Sequence, residues 1–199
     1  MRKLLRGSLG ILAAVLLLAA PGCESLEAAA AKAAGTASAQ TVFYEEGTVN
    51  CYFPRAGQDA QAGLIQVIES AEKTLDMAIY SFTDETVADA VSACAKRGVT
   101  VRIISDKTQS GNGYQKKILK RLKKENIPVK VDAHSGIMHL KITIADGKIA
   151  TTGSYNYTKS ADQENDEVFV VFHDEKIAQN FEQEFEDLWN DDSRFDNFS

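Results

Sequence analysis

His139, Lys141, Asp146, Gly153, Ser154 and Asn156 stand in the spacing H-x-K-x4-D-x6-G-S-x-N. His139 and Lys141 are two apart in a segment that alternates, so on a strand both side chains leave the same face. Asp146-Gly147 is a hairpin turn signal, and a hairpin there brings Ser154 and Asn156 back beside them. The gathered groups are an imidazole, an ammonium and neutral hydrogen-bond donors. A phosphodiester suits them: the imidazole can attack phosphorus while Lys141 and Asn156 hydrogen-bond the oxygens that gain charge in the transition state. Lys141, Ser154 and Asn156 are the candidate substrate-binding set. Asp146 belongs to the same spacing, but its place at the turn reads as structural more than chemical.

The rest of the chain from Thr41 onward alternates between strand and helix patterns. Strands are expected over Thr48 to Phe53, Thr74 to Phe82, Val99 to Ile104, Ile127 to Val131, His139 to Ala145, Lys148 to Thr152 and Glu167 to Phe172. Leu64, Val67, Ile68 and Ala71 mark one helix. Val87, Ala90, Val91 and Cys94 mark a second, capped by Thr83 or Asp84 and closed at Gly98. Ile118, Leu119 and Leu122 mark a third, and Ile177, Phe181, Phe185, Leu188 and Trp189 a last one. Ser105 to Gly113 reads as a polar loop. The alternation predicts an α/β fold with a mixed β-sheet sandwiched by helices.

The spacing around His139 resembles the HKD motif of the phospholipase D superfamily. Gly153 to Ala161, followed by Asn165-Asp166-Glu167, is similar to small bacterial endonucleases of that superfamily, and element order resembles theirs from about Thr48 to Asp191. The resemblance implies a covalent phosphohistidine on His139, no metal and no cofactor, and a second histidine that protonates the leaving oxygen and then activates water. It implies that Glu167 is the carboxylate that fixes the histidine tautomer. The chain has one such motif and no internal repeat, so the resemblance also implies a homodimer with a shared site. Nucleic acid is the implied substrate, DNA ahead of RNA. The alternative is a phospholipase D or phosphatidyl transferase acting on membrane phospholipids.

His134 and His173 read as structural histidines. A zinc site from His134, His139 and a cysteine has neither a CxxC nor an HxxxH pair to support it. Lys116, Lys117, Lys120, Arg121, Lys123 and Lys124 make the third helix basic, which fits a solvated face or a polyanion contact. Cys51 and Cys94 are open to two readings, a disulfide or free thiols, with Cys94 on an apolar helix face.

Composition sets the outer bounds. The chain has 199 residues, 44% hydrophobic and 25% charged, with 3 Pro and 3 Cys, which excludes collagen-like, disulfide-dense and wholly disordered classes. Met1 to Cys23 reads as a signal peptide: Arg2, Lys3 and Arg6 precede an apolar run from Leu9 to Ala20. The residues before Cys23 resemble a bacterial lipobox, although Ala20 stands where Leu is usual, so Cys23 is the expected lipidation site. Residues 24–40 are an Ala-rich tether, and residues 41–199 the catalytic domain. An exported protein, periplasmic or at the cell surface and anchored to a membrane through its lipid, is the expected localisation. The net charge of −6 becomes −9 without the signal, but 12 acids and only 2 bases lie from Glu164 onward. The segment before it is near neutral, so local basic patches remain available for a polyanion.

Overall fold

The computed structural model describes residues 45–199. The signal peptide, Cys23 and the Ala-rich tether lie outside the described residues. Among the described residues eight strands form one sheet: β1 (Thr48–Tyr52), β2 (Thr74–Ile79), β3 (Thr100–Ser105), β4 (Val129–Asp132), β5 (Lys141–Ala145), β6 (Ile149–Gly153), β7 (Phe169–His173) and β8 (Phe195–Asn197). Their order is β1-β7-β6-β5-β2-β3-β4-β8. The β2–β3 and β3–β4 pairs are parallel and the rest antiparallel, so the sheet is mixed as the alternation predicts. β2 sits in the middle and is buried on both faces, Asp76 included, where strict alternation would leave one face exposed.

The helices are α1 (Ala60–Ser70), α2 (Glu85–Lys96), α3 (Lys107–Gly111), α4 (Gly113–Lys124), α5 (Lys159–Gln163) and α6 (Glu175–Trp189). Asp59, Asp84, Asn112 and Asp174 cap α1, α2, α4 and α6 through side-chain oxygens that accept orphan backbone N–H groups. Leu64, Val67 and Ile68 of α1, Val87 and Val91 of α2, and Ile118, Leu119 and Leu122 of α4 pack on Leu75, Met77, Ile79 and Ile103. On the opposite face α6 lays Ala178, Phe185 and Leu188 over Ala78, Ile104, Ile142 and Ile144.

Under α6 a buried ionic group joins sheet to helix. Asp76 and Arg102 are cross-strand partners, and the guanidinium holds Asp76 through two bonds of 2.6 and 2.9 Å while reaching Glu186 at 2.7 Å. It also lies over the rings of Phe185 and Trp189. Burial, then the neighbouring Asp76, pushes the Glu182 carboxyl up to about 8.

Several boundaries differ from the sequence expectation. Residues 105–113 carry a helix, α3, because Asp106 caps it at Gln109 N and Asp132 takes the N–H of Lys107. The strand expected from His139 begins at Lys141. The strand expected from Glu167 begins at Phe169, because the Val168 carbonyl is occupied by the amides of Ser154 and Tyr155. Cys51 is exposed on β1, Cys94 is buried on α2, and both are free thiols. Among the described residues no helix is long and apolar enough to cross a membrane.

Candidate active site

The candidate residues other than Asp146 converge at one end of the sheet, where β2 and β3 finish, β5 and β7 begin and β6 runs out. His139 lies in the extended segment before β5 and is exposed. That segment is tied to the end of β2 by the Tyr80 amide, which donates to the Leu140 carbonyl at 2.9 Å. Lys141 follows as the first residue of β5, opposite Ile79, and is only 6% exposed. Its Nζ donates to the His139 carbonyl at 2.8 Å. Burial holds the ammonium below its ordinary pKa, and the negative charge of Glu167 partly offsets this.

Asp146 occupies the turn between β5 and β6 with φ +55, a left-handed conformation that Asp tolerates. Its carboxylate accepts the N–H groups of Glu72, Lys73 and Thr74 at 2.9, 2.7 and 2.9 Å. The hairpin is thereby stapled to the entry of β2. Burial pushes the carboxyl up, but the three backbone donors and Lys148 outweigh it, and its pKa lies below the ordinary value. These contacts orient β5 from its far end and leave the carboxylate committed to backbone.

At the other end of the hairpin, Gly153 has φ +140, and a Cβ there would stand 2.0 Å from the Val168 carbonyl oxygen. Only glycine lets β6 turn so close to the segment before β7. Ser154 follows, its Oγ donating to Glu167 Oε2 and accepting from the Val168 amide at 3.1 Å. Glu167 Oε1 also accepts from Asn165 at 3.1 Å. Among the described residues no hydrogen bond joins Glu167 to His139; the carboxylate is engaged by Ser154 and Asn165, and it acts on the site through its charge on Lys141. Asn156 accepts the Ser81 amide through Oδ1 at 3.2 Å, which turns its NH2 away from that backbone bond as a donor. Between these residues Tyr155 and Tyr157 plug the core, and Tyr157 shares a 2.6 Å hydrogen bond with Thr143. Burial pushes the Tyr157 hydroxyl pKa up to about 12.

Lys141 beside His139, Ser154 with Glu167, and Asn156 joined through Ser81 to the same stretch of chain thus lie at this end of the sheet, and Asp146 lies at the other. Three residues of this neighbourhood escaped the sequence reading. Tyr80 packs its ring against the His139 imidazole, centroids 4.6 Å apart. Gln109 of α3 donates to the Tyr80 hydroxyl at 3.1 Å. Gln115, fully buried on α4, accepts the Phe82 amide at 2.8 Å and donates to the Tyr80 carbonyl at 3.2 Å. The one available signal was a buried-pattern glutamine on the apolar stripe of α4. His173 is buried against Asn50 on the β1–β7 side, and His134 stacks edgewise on Phe195, so neither joins the cluster. Among the described residues no three His, Cys, Asp or Glu side chains gather as a metal site would need.

Residues 64–189, a span holding all six motif residues and Glu167, match the family model described as "Cardiolipin synthase, PLD-like domain". A mitochondrial cardiolipin hydrolase of Chlamydomonas reinhardtii is 33% identical over 126 residues, 63% of this chain and 56% of that one. A phospholipase D of Rickettsia prowazekii is 35% identical over 131 residues, 66% of this chain and 62% of its own. The chain thus spans less than two thirds of the length of these two relatives. The solved structure of a phospholipase D family member, Nuc from Salmonella typhimurium, superposes with a TM-score of 0.71 at 30% identity, covering 77% of this chain and 99% of Nuc.

Proposed function

The chain belongs to the phospholipase D superfamily, and from that premise we propose that it is a metal-independent phosphodiesterase that cleaves nucleic acid as a homodimer. The observation that carries this reading is the pairing of an exposed imidazole, His139, with a buried ammonium, Lys141, whose remaining N–H donors and the Asn156 amide are available to a phosphate. In the proposed reaction the His139 imidazole attacks phosphorus, the bond from phosphorus to the leaving oxygen breaks, and His139 of a second copy gives that oxygen its proton. The same second histidine then takes a proton from water, which attacks the phosphohistidine, releases the phosphomonoester and restores the imidazole. Lys141 and Asn156 hold the non-bridging oxygens as charge builds on them.

One feature supports a nucleic acid over a lipid. On α4, Lys117 and Arg121 are paired with Glu85 and Asp89 and Lys123 bonds the Phe198 carbonyl, while Lys116, Lys120 and Lys124 form an exposed row. One observation favours the phospholipid alternative: Ile137 and Leu140 flank His139 and are 54% and 37% exposed, as a rim facing a bilayer would be. We assign them instead to the contact with the second copy. We further propose that Cys23 is acylated and tethers the enzyme outside the cytoplasm. The test is one assay in EDTA that offers plasmid DNA, single-stranded RNA and phosphatidylcholine vesicles to the wild type and to His139→Asn. Cleavage of nucleic acid by the wild type alone is expected; cleavage of lipid only, or of nothing until zinc or magnesium is restored, would overturn the reading.

A further inference from the structure

We propose that Tyr80 is a positioning residue of this active site, its ring forming the wall against which both the His139 imidazole and the Lys141 ammonium are set. The inference rests on the phosphodiesterase reading, but not on which phosphodiester is the substrate. Tyr80 follows the last residue of β2, and four contacts fix it. Its amide donates to Leu140 O at 2.9 Å, its carbonyl accepts from Gln115 at 3.2 Å, its hydroxyl accepts from Gln109 at 3.1 Å, and its ring meets the His139 ring at an interplanar angle of 63°. The Lys141 Nζ lies 5.0 Å from the centroid of the same ring, within cation–π range.

These contacts address a specific problem. An ammonium buried beside a carboxylate tends to close an ion pair, which would spend on Glu167 the charge needed by phosphate. Lys141 forms no ion pair within 4.0 Å among the described residues, although it feels the charge of Glu167. Its Nζ is held instead between the His139 carbonyl and the Tyr80 ring face. Neither partner competes for phosphate as a full charge would, so the ammonium stays oriented and available. The edge contact with His139 limits the imidazole in the same way, and the backbone bonds to Leu140 and Gln115 hold in place the residue that does both.

The test uses the full chain and a small synthetic diester, bis(4-nitrophenyl) phosphate, with inorganic tungstate as the oxyanion probe. Tyr80→Leu and Tyr80→Met fill similar space without a π face, whereas Tyr80→Phe keeps the face and loses only the Gln109 bond. Thermal unfolding identifies which variants are folded, and a folded member of the Leu and Met pair suffices. We expect kcat/KM to fall about 30-fold or more in Leu or Met, with tungstate affinity weakened about tenfold, and to stay within about threefold of wild type in Phe. The ring face favours the charged amine, so the loss of tungstate binding at high pH should move to lower pH in Leu and Met. A mere packing role would not move that limb. Wild-type kcat/KM in a folded Leu or Met variant, an unmoved or raised limb, or a Phe variant as impaired as Leu would each overturn the proposal. If the wild type cleaves no diester yet binds tungstate in a Tyr80-dependent way, the function reading fails and the positioning role stands.

Discussion

Replacing Asp146 separates a structural part of the motif from a chemical one. Its carboxylate accepts three backbone N–H groups at 2.7 to 2.9 Å, two of them on exposed residues. A buried charge-assisted bond is worth about 1.5–3 kcal/mol, and exposure lowers that, so we take about 1 kcal/mol for each. Alanine at φ +55 adds about 1 kcal/mol more. Asp146→Ala should therefore cost about 4 kcal/mol, lowering Tm by about 10 °C for a domain of this size. Asp146→Asn keeps the left-handed conformation and one acceptor but turns a donor toward the Glu72 amide, and should lose about half as much. The folded-state pKa of Asp146 is depressed below 3.8, so its contribution is present above that pH and is lost as pH falls through the folded value. The gap in Tm between wild type and Asn should accordingly close on acidification below about pH 4. Assayed well below the transition, both variants should keep kcat within about threefold of wild type. A variant with wild-type Tm and a kcat reduced a thousandfold would show that the carboxylate acts in the chemistry.

Gly153→Ala should lower Tm by about 6 °C or more and disrupt the Ser154–Glu167 contact, since its Cβ would meet Val168 O at 2.0 Å in a backbone conformation L-residues avoid; calorimetry checks this. Glu182 is raised to about 8 beside Asp76, Arg102 and Glu186, so the folded state holds a proton that the unfolded chain releases near 4.5, and wild-type stability should fall as pH rises between those values. Glu182→Gln should flatten that decline, seen in Tm measured at pH 5 and 8. Mixing excess His139→Ala subunits with wild type under proven exchange should depress activity below simple dilution, because each mixed pair lacks one of two histidines; loss only in proportion to dilution would exclude a shared site.

Much of this site was legible before the fold. The motif spacing, the Asp146-Gly147 turn and the apolar stripes of α1, α2, α4 and α6 are local signals, each decided by residues within a few positions of one another. What escaped depends on distant partners. The segment Lys107–Gly111 is rich in weak helix formers and becomes helical because Asp132, 25 residues away, receives its first amide. Strand β8 exists because Lys130, Val131 and Asp132 offer an edge. Tyr80 looks like one more large residue ending an apolar strand, and only its contacts with His139, Lys141 and Gln109 distinguish it. The φ of Gly153 likewise follows from a Val168 carbonyl 15 residues on.

In the proposed reaction His139 becomes covalently bonded to phosphorus. Wild-type enzyme mixed with a labelled phosphodiester and quenched in alkali within one turnover, where a phosphohistidine survives, can be digested and weighed by mass spectrometry. The expected product is the peptide carrying His139 with phosphorus bonded to its imidazole and the retained ester group of the diester still attached, absent when His139 is replaced by Asn. Turnover with no adduct, or an adduct on any other residue, would contradict it.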